Sequence, residues 1–596
     1  MANFRALQMD IRQRERLHQS LPVLDIEYLP ELRQKPQPRQ QKKRRQLEDE
    51  ALTYIISAFY AKLLVIIGIA FSITRSITTG GSEQHDIYFI YLYAGSILFF
   101  LYMYAVHLRT KSLIYEIYRD SHELMEMYKK NSYARYGSFY FRLGVVGFGL
   151  GSFIYATLQF GQYFEFNNNE GCPTSIRAIK PAARSSFILL QMLFIFSLSN
   201  YLDVQKSQLV SKFGLMHLVA TNVSDWFHVL IESTIKDLFY SVTVRHSHKH
   251  IHISSSRNIT LALEENRLLQ ITRIQYEQKQ NCIKSNLITS TLAKLEPHLA
   301  SCAVEYNLLC AMILVLIWKN STSNKKEEAS RDLSAEISRQ SDSNVIYGRS
   351  QSQFSVDCAQ TQRGLFAGIL LLAVTIISLI MFFELIPVED KIEIALLQVN
   401  IWEGTLYLTA TIAVLFSFLA LRDVKINVTN TDLKLEHLLL MITQYGVFFY
   451  FLFLLIGGCM METDFDLNGV MRILTPLIAL IQSSSQTAFI LDAWRRRCSN
   501  AEHIHRKPGR QLITFLLLIN ISLWVVNRVK NNRSAFHPNQ MDFYGILAWN
   551  IITHVSMPLV VSYRFQATVC FYEIWKHVYK RPIKPDLRAQ QSESLT

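Results

Sequence analysis

Charge is scarce in this chain. Asp, Glu, Lys and Arg make up 18% of its 596 residues, where soluble domains carry about 25%. That shortage, with half the residues hydrophobic and 12% aromatic, argues against both a disordered chain and a soluble enzyme. Cysteine is sparse as well: eight residues are scattered with no CxxC pair, which leaves no basis for a metal cage. Of the eight, only Cys172 and Cys282 fall together in expected outer loops. No P-loop, GxSxG, HExxH or Rossmann fingerprint stands in a plausible context, so no enzyme and no cofactor are expected. The net charge of +13 does not indicate nucleic-acid binding, because the basic residues sit between apolar blocks rather than along one surface.

What the chain does have is long apolar runs. A helix needs about 20 mostly apolar residues to cross the hydrocarbon layer. Twelve segments qualify, near 54–74, 87–107, 143–164, 185–201, 213–235, 302–318, 364–386, 394–421, 438–459, 470–493, 511–527 and 543–575. The expected fold is an all-α polytopic membrane protein of twelve transmembrane helices. The first 50 residues are polar, hold 11 Lys/Arg against 8 Asp/Glu, and end in the cluster Lys42-Lys43-Arg44-Arg45. By the positive-inside rule this tail is cytoplasmic. Arg495-Arg496-Arg497 and Lys576, Lys580 and Arg581 then fall on the same side, as does the C-terminus, and the sequons at Asn258 and Asn532 fall outside.

A polar, Ser-rich stretch at 320–362 reads as a flexible cytoplasmic linker. It divides the chain into a basic tail (1–50), an N-terminal half (51–319), the linker, a C-terminal half (363–577) and a tail (578–596), with six spans in each half. The halves look related. Gln191 opens QMLFIF and Gln486 opens QTAFIL, while the next helix reads Asn222-Val-Ser-Asp-Trp226 in one half and Asn520-Ile-Ser-Leu-Trp524 in the other. An even number of spans per repeat makes the two repeats parallel. Gly147-xxx-Gly151 in the third span is a close-packing signal.

Ionisable residues inside spans are costly and normally face protein or water. Asn222, Asp225 and Glu232 share one helical stripe, and so do Asn400, Glu403 and Tyr407. Glu305, Gln444, Gln482, Gln486, Asn550, His554 and Gln566 complete the set. Removed from water, a carboxyl group favours its neutral form, so Glu305, Glu403 and Asp225 are candidates to take up and release protons, with amides and water linking them. The bland alternative is that Asn and Gln here only bind helices together, at about 1 kcal/mol each. His246, His248, His250 and His252 alternate; on an extended segment they would share one side, as a divalent-metal site or a protonation cluster, or as a solvated loop without a role.

The stretches FGLMHLVATN (213–222), VEYNLLCAMILVLIWKN (304–320), VDCAQTQRGLFAGILLLAVTIISLIMFFEL (356–385), SQTAFILDAWRR (485–496), FYGILAWNIITHVSMPL (543–559) and YRFQATVCFYEIWK (563–576) resemble the otopetrins, a family of proton-selective channels. The resemblance implies acid-activated proton influx, a homodimer at the plasma membrane, sensitivity to zinc, and polar routes within each half and between the halves. By motif position it assigns roles to Glu305, Gln191, Gln486, Asn222 and Glu403. Where many relatives read Arg-Phe-His in the last span, this chain reads Arg564-Phe565-Gln566, which replaces a titratable group by an amide and leaves titration to His554. Two other functions fit the same composition: a proton-coupled secondary transporter with broken helices at mid-membrane, and a membrane chemosensory receptor.

Overall fold

The computed structural model describes residues 38–77, 82–118, 139–165, 176–197, 208–248, 287–338, 361–386, 391–426, 435–461, 467–498, 506–531 and 538–579. The chain forms two units, Met1–Ile56 and Ser57–Thr596, the second of which holds every candidate residue described. The helices are α1 (Pro38–Ile77), α2 (Ser82–Tyr118), α3 (Phe139–Tyr163), α4 (Ile176–Ser197), α5 (Gln208–His248), α6 (Leu287–Ser338), α7 (Gln362–Leu385), α8 (Ile392–Leu421), α9 (Leu435–Met460), α10 (Leu467–Ala493), α11 (Arg510–Asn531), the short α12 (Pro538–Tyr544) and α13 (Ile546–His577).

Eleven of these helices are long and apolar enough to cross a bilayer. The long helix that does not qualify is α5, which carries Lys212, Asp225, Glu232, Lys236 and Asp237. Its physical setting explains this composition: Leu215, Leu218, Ala220, Thr221, Asn222 and Ser224 are completely buried, so α5 is shielded by other helices and need not be greasy.

The exterior is the opposite. Phe59, Ile66, Leu98, Phe366, Leu415 and Leu419 are all more than half exposed, whereas Gln191, Asn222, Gln486, Asn520, Asn550, Arg564 and Gln566 are fully buried. Apolar outside and polar inside is a solution for lipid rather than water.

The same helix pairings occur twice. In the first six helices α2 packs on α4 and α5, α3 on α4 and α6, and α5 on α6. In α7–α13, α8 packs on α10 and α11, α9 on α10 and α13, and α11 on α13. The first helix of each set meets the fifth: Gly68 faces Ser224 of α5, and α7 packs on α11. The two sets touch where α13 meets α5 and α6 and where α9 meets α6.

Several expectations are corrected. The fourth and sixth helices start at Ile176 and Leu287, well before 185 and 302, because Arg177, Lys180 and Arg184 in one and Lys294, Glu296 and His298 in the other interrupt the apolar run without ending the helix. The segment expected as one helix over 543–575 is broken at Gly545, whose φ of 83° lies in the left-handed region that favours glycine. α6 continues to Ser338, so the start of the 320–362 stretch is helical; Lys325, Lys326, Glu327, Glu328 and Ala329 are all good helix formers. α5 is helical through His248, where an extended segment was expected; His250 and His252, like Cys172, Cys282, Asn258 and Asn532, lie outside the described residues. Finally, Gly147 meets no neighbour; the close approaches are Gly144 on Phe565, Gly149 on Met192 and Gly151 on Cys302.

Candidate functional site

Three buried polar clusters account for the candidate residues. The first lies within α7–α13. A cavity of about 280 Å³ runs from the exposed Glu393 and Asn539 past Asn400, Asn468, Arg472 and Gln540 to Glu403 and Lys530. Glu403 on α8 is 2% exposed, and Lys530 at the end of α11 donates to its Oε2. One turn on, the Tyr407 hydroxyl donates to Oε1 at 3.0 Å.

The Tyr407 ring then lies 5.3 Å from the Arg564 guanidinium. Arg564 donates from Nη1 to Gln482 Oε1 at 2.8 Å, and Gln482 donates to Gln486 Oε1 at 2.8 Å. Gln486 and Asn520 exchange two amide hydrogen bonds, each 3.0 Å. Tyr563 joins this group through Thr487 at 3.0 Å. The result is a polar column from the cavity through Glu403 and Tyr407 to Arg564 and the amides. Arg564 is fully buried, faces no carboxylate here, and leaves Nε and Nη2 without a protein partner. A buried guanidinium in that condition calls for water. Gln444 touches the column only weakly, at 3.5 Å from the Ser483 carbonyl.

The second cluster lies within α2–α6. Gln191 and Asn222 exchange two amide hydrogen bonds of 2.9 and 3.1 Å. They are the counterparts of Gln486 and Asn520 by sequence, and they make the counterpart contact. Even the bond to the preceding turn repeats: Asn222 to the Leu218 carbonyl and Asn520 to the Leu516 carbonyl, both 2.8 Å.

Asp225 is held by Arg184 at 2.9 and 3.2 Å, by Asn307 at 2.7 Å and by the Tyr93 hydroxyl at 2.6 Å. It is an ion-paired carboxylate with both oxygens engaged. Farther along α5, Lys180 reaches Asp86 at 3.2 Å and His228 at 3.0 Å. His228 is 3.7 Å from Glu232, which pairs with Lys236 at 2.9 Å. Lys236 also pairs with Glu296. Arg75 and His85 complete the Asp86 site at 3.0 and 3.1 Å.

The third cluster lies between the two sets. Asn550, His554, Ser562 and Gln566 form one stripe of α13 at steps of four and eight. His554 Nε2 contacts Asp237 of α5 at 2.9 Å, and Ser562 donates to Glu305 of α6. Glu305 is 1% exposed, its Oε1 has no partner, and neither do the side-chain amides of Asn550 and Gln566. Along this seam five buried polar atoms have no protein partner among the described residues, the setting in which buried water is normally found.

The residues that the sequence reading left out fall into two groups. Arg75, Asp86, Lys180, Arg184 and Lys530 lie just beyond the ends of the apolar windows, where their own charge cut the window short, whereas Tyr93, His228, Asn307 and Arg472 lie inside them. Asn520 was visible as the repeat partner of Asn222. No group of three or more His, Cys, Asp or Glu is placed to hold a metal among the described residues.

The fold and its clusters define a multi-pass helical protein whose interior is laid out as amide pairs, buried acids and unpaired donors. The family model described as Otopetrin matches residues 140–565, and the chain belongs to the otopetrin family. It is 36% identical over 578 residues to "Proton channel OtopLc" of Drosophila melanogaster, covering 90% of this chain and 36% of that protein. It is 20% identical to "Proton channel OTOP2" of Mus musculus over 530 residues and of Homo sapiens over 519, in each case covering 77% of this chain and 83% of the relative. The chain thus spans little more than a third of the length of the Drosophila protein.

Proposed function

We propose that this chain is a proton channel of the plasma membrane, opened by acid on the outer side. The observation that carries the proposal is the set of buried, partly unpartnered polar groups between the two helix sets and along the α8–α13 column. Glu305, with one oxygen bonded to Ser562 and the other free for water, has the arrangement of a group that accepts a proton on one side and returns it on the other. Asn550, His554 and Gln566 extend the route along α13. The Gln486–Asn520 and Gln191–Asn222 pairs position side chains around each set's centre. Asp225, paired with Arg184, serves to hold α4, α5 and α6 together around the route rather than to carry the proton itself.

The repeated pairings support two parallel six-helix halves, and the buried surroundings of α5 support its being the twelfth span, with both termini cytoplasmic. In that orientation the cavity leading to Glu403 and the Asp86–His228–Glu232 cluster both face outward, where acid arrives. A homodimer and inhibition by zinc are further parts of the proposal.

A proton-coupled transporter would favour helices broken at mid-membrane; α10 and α13 run unbroken through Pro476 and Pro558. Patch clamp of expressing cells, with outer pH stepped and sodium absent, tests the proposal. Inward current that grows with outer acid supports it; solute-dependent uptake without current supports the transporter instead.

A further inference from the structure

We propose that Lys530 is the residue that keeps metal cations away from Glu403, so that the proton alone uses the α8–α11 cavity; the inference rests on the proton-channel reading. A carboxylate at the buried end of a polar cavity is an attractive site for sodium, potassium or calcium, because carboxylate side chains are what cation pathways are built from. This cavity has that form: Asn400, Asn468 and Gln540 line its wall, Glu393 sits exposed at its rim, and Glu403 closes it.

Neither Glu403 oxygen is available to a metal. Lys530 donates to Oε2 and Tyr407 donates to Oε1. Lys530 is itself 5% exposed and anchored at the end of α11, so its ammonium is a fixed part of the site. Arg472 of α10 adds a second cation to the wall. Among the described lining residues two acids, Glu393 and Glu403, are therefore balanced by two bases, Arg472 and Lys530.

A proton is treated differently. Hydronium gives its proton to a Glu403 oxygen and leaves as water; the carboxylate becomes a carboxylic acid, and Lys530 keeps its three protons and turns to the cavity water. A metal ion arriving at the same place would add the same one positive charge to the pair. Only the proton forms a covalent bond that offsets this repulsion. When the proton moves on, the ammonium re-forms its bond to the carboxylate and the site is closed again.

The test uses the full chain in voltage-clamped cells, at equal pH on both sides, with outer sodium exchanged for N-methylglucamine. In the wild type the exchange leaves the reversal potential unmoved. In Lys530→Gln, which bares the acid, the permeability of sodium relative to the proton rises by roughly a factor of ten or more, the effect of removing one fixed charge from a buried site. Lys530→Arg keeps sodium out. A Lys530→Gln protein that reaches the surface, conducts protons and remains blind to sodium overturns the proposal. If Lys530→Gln does not reach the surface or carries no proton current, Lys530→Met, close to lysine in length but uncharged, decides: sodium entry supports the proposal and exclusion of sodium refutes it. Absence of proton current in the wild type would instead refute the proton-channel reading, so the two failures are separate.

Discussion

Asp225 and Glu305 are both buried carboxyl groups, yet their neighbours give them different work. Asp225 meets a guanidinium, an amide and a hydroxyl, four bonds in all. Glu305 meets one hydroxyl. A fully bonded ion pair resists protonation, and losing one member strands the other charge. Arg184→Gln should therefore destabilise the protein by about 3–5 kcal/mol, read as a lowered thermal midpoint in detergent. Adding Asp225→Asn should recover most of the loss, because the two sites couple directly. Glu305→Gln should behave in the opposite way: folded and surface-expressed, since Gln still accepts from Ser562, but with acid-evoked current lower by roughly tenfold or more, equivalent to about 1.4 kcal/mol of proton affinity removed from the route. Unchanged current in Glu305→Gln would take this residue out of the path.

At the scale of helices, close approach and buried amides decide the packing. A Cβ on Gly364 of α7 would lie 2.0 Å from the Gln511 carbonyl oxygen of α11, and a backbone atom cannot turn aside. Gly364→Ala should cost about 1–3 kcal/mol of stability as α7 is forced outward, visible in the same thermal measurement. The amide pairs make a matched prediction. Gln191→Leu and Gln486→Leu each leave a buried Asn without its partner, at about 1–3 kcal/mol. The second substitution Asn222→Leu or Asn520→Leu should restore part of that in its own set only. The pairs were legible in the sequence because a duplication repeats spacing as well as composition. The same is true of Glu305, Glu403 and Asp225, each a charge inside an apolar run. Their partners were not legible. Lys180, Arg184 and Lys530 sit at helix ends, where a charge and a loop look alike in one dimension; only packing shows that these ends are buried. α5 also exceeds its apolar window at both ends, and the helical start of the 320–362 stretch was hidden by a composition that suits both helix and coil.

For the whole molecule, two helix sets with the same pairings enclose polar interiors and meet along α13. That helix divides its faces between two tasks. Tyr563 and Arg564 turn into the α8–α11 column, while Ser562 and Gln566 line the seam with α6. The fold thus provides two polar systems back to back, one ending at the Glu403 cavity and one at Glu305. Gln566 has no proton to exchange at accessible pH, so the proposed route along this seam centres on Glu305. The most direct measurement is the reversal potential of the current carried by the full chain as outer pH is changed with sodium and potassium replaced by an impermeant cation. A proton channel requires a shift of about 59 mV per pH unit, from about 1.36 kcal/mol per pH unit and about 2.3 kcal/mol per charge per 100 mV; a reversal potential that ignores the pH gradient would contradict the account.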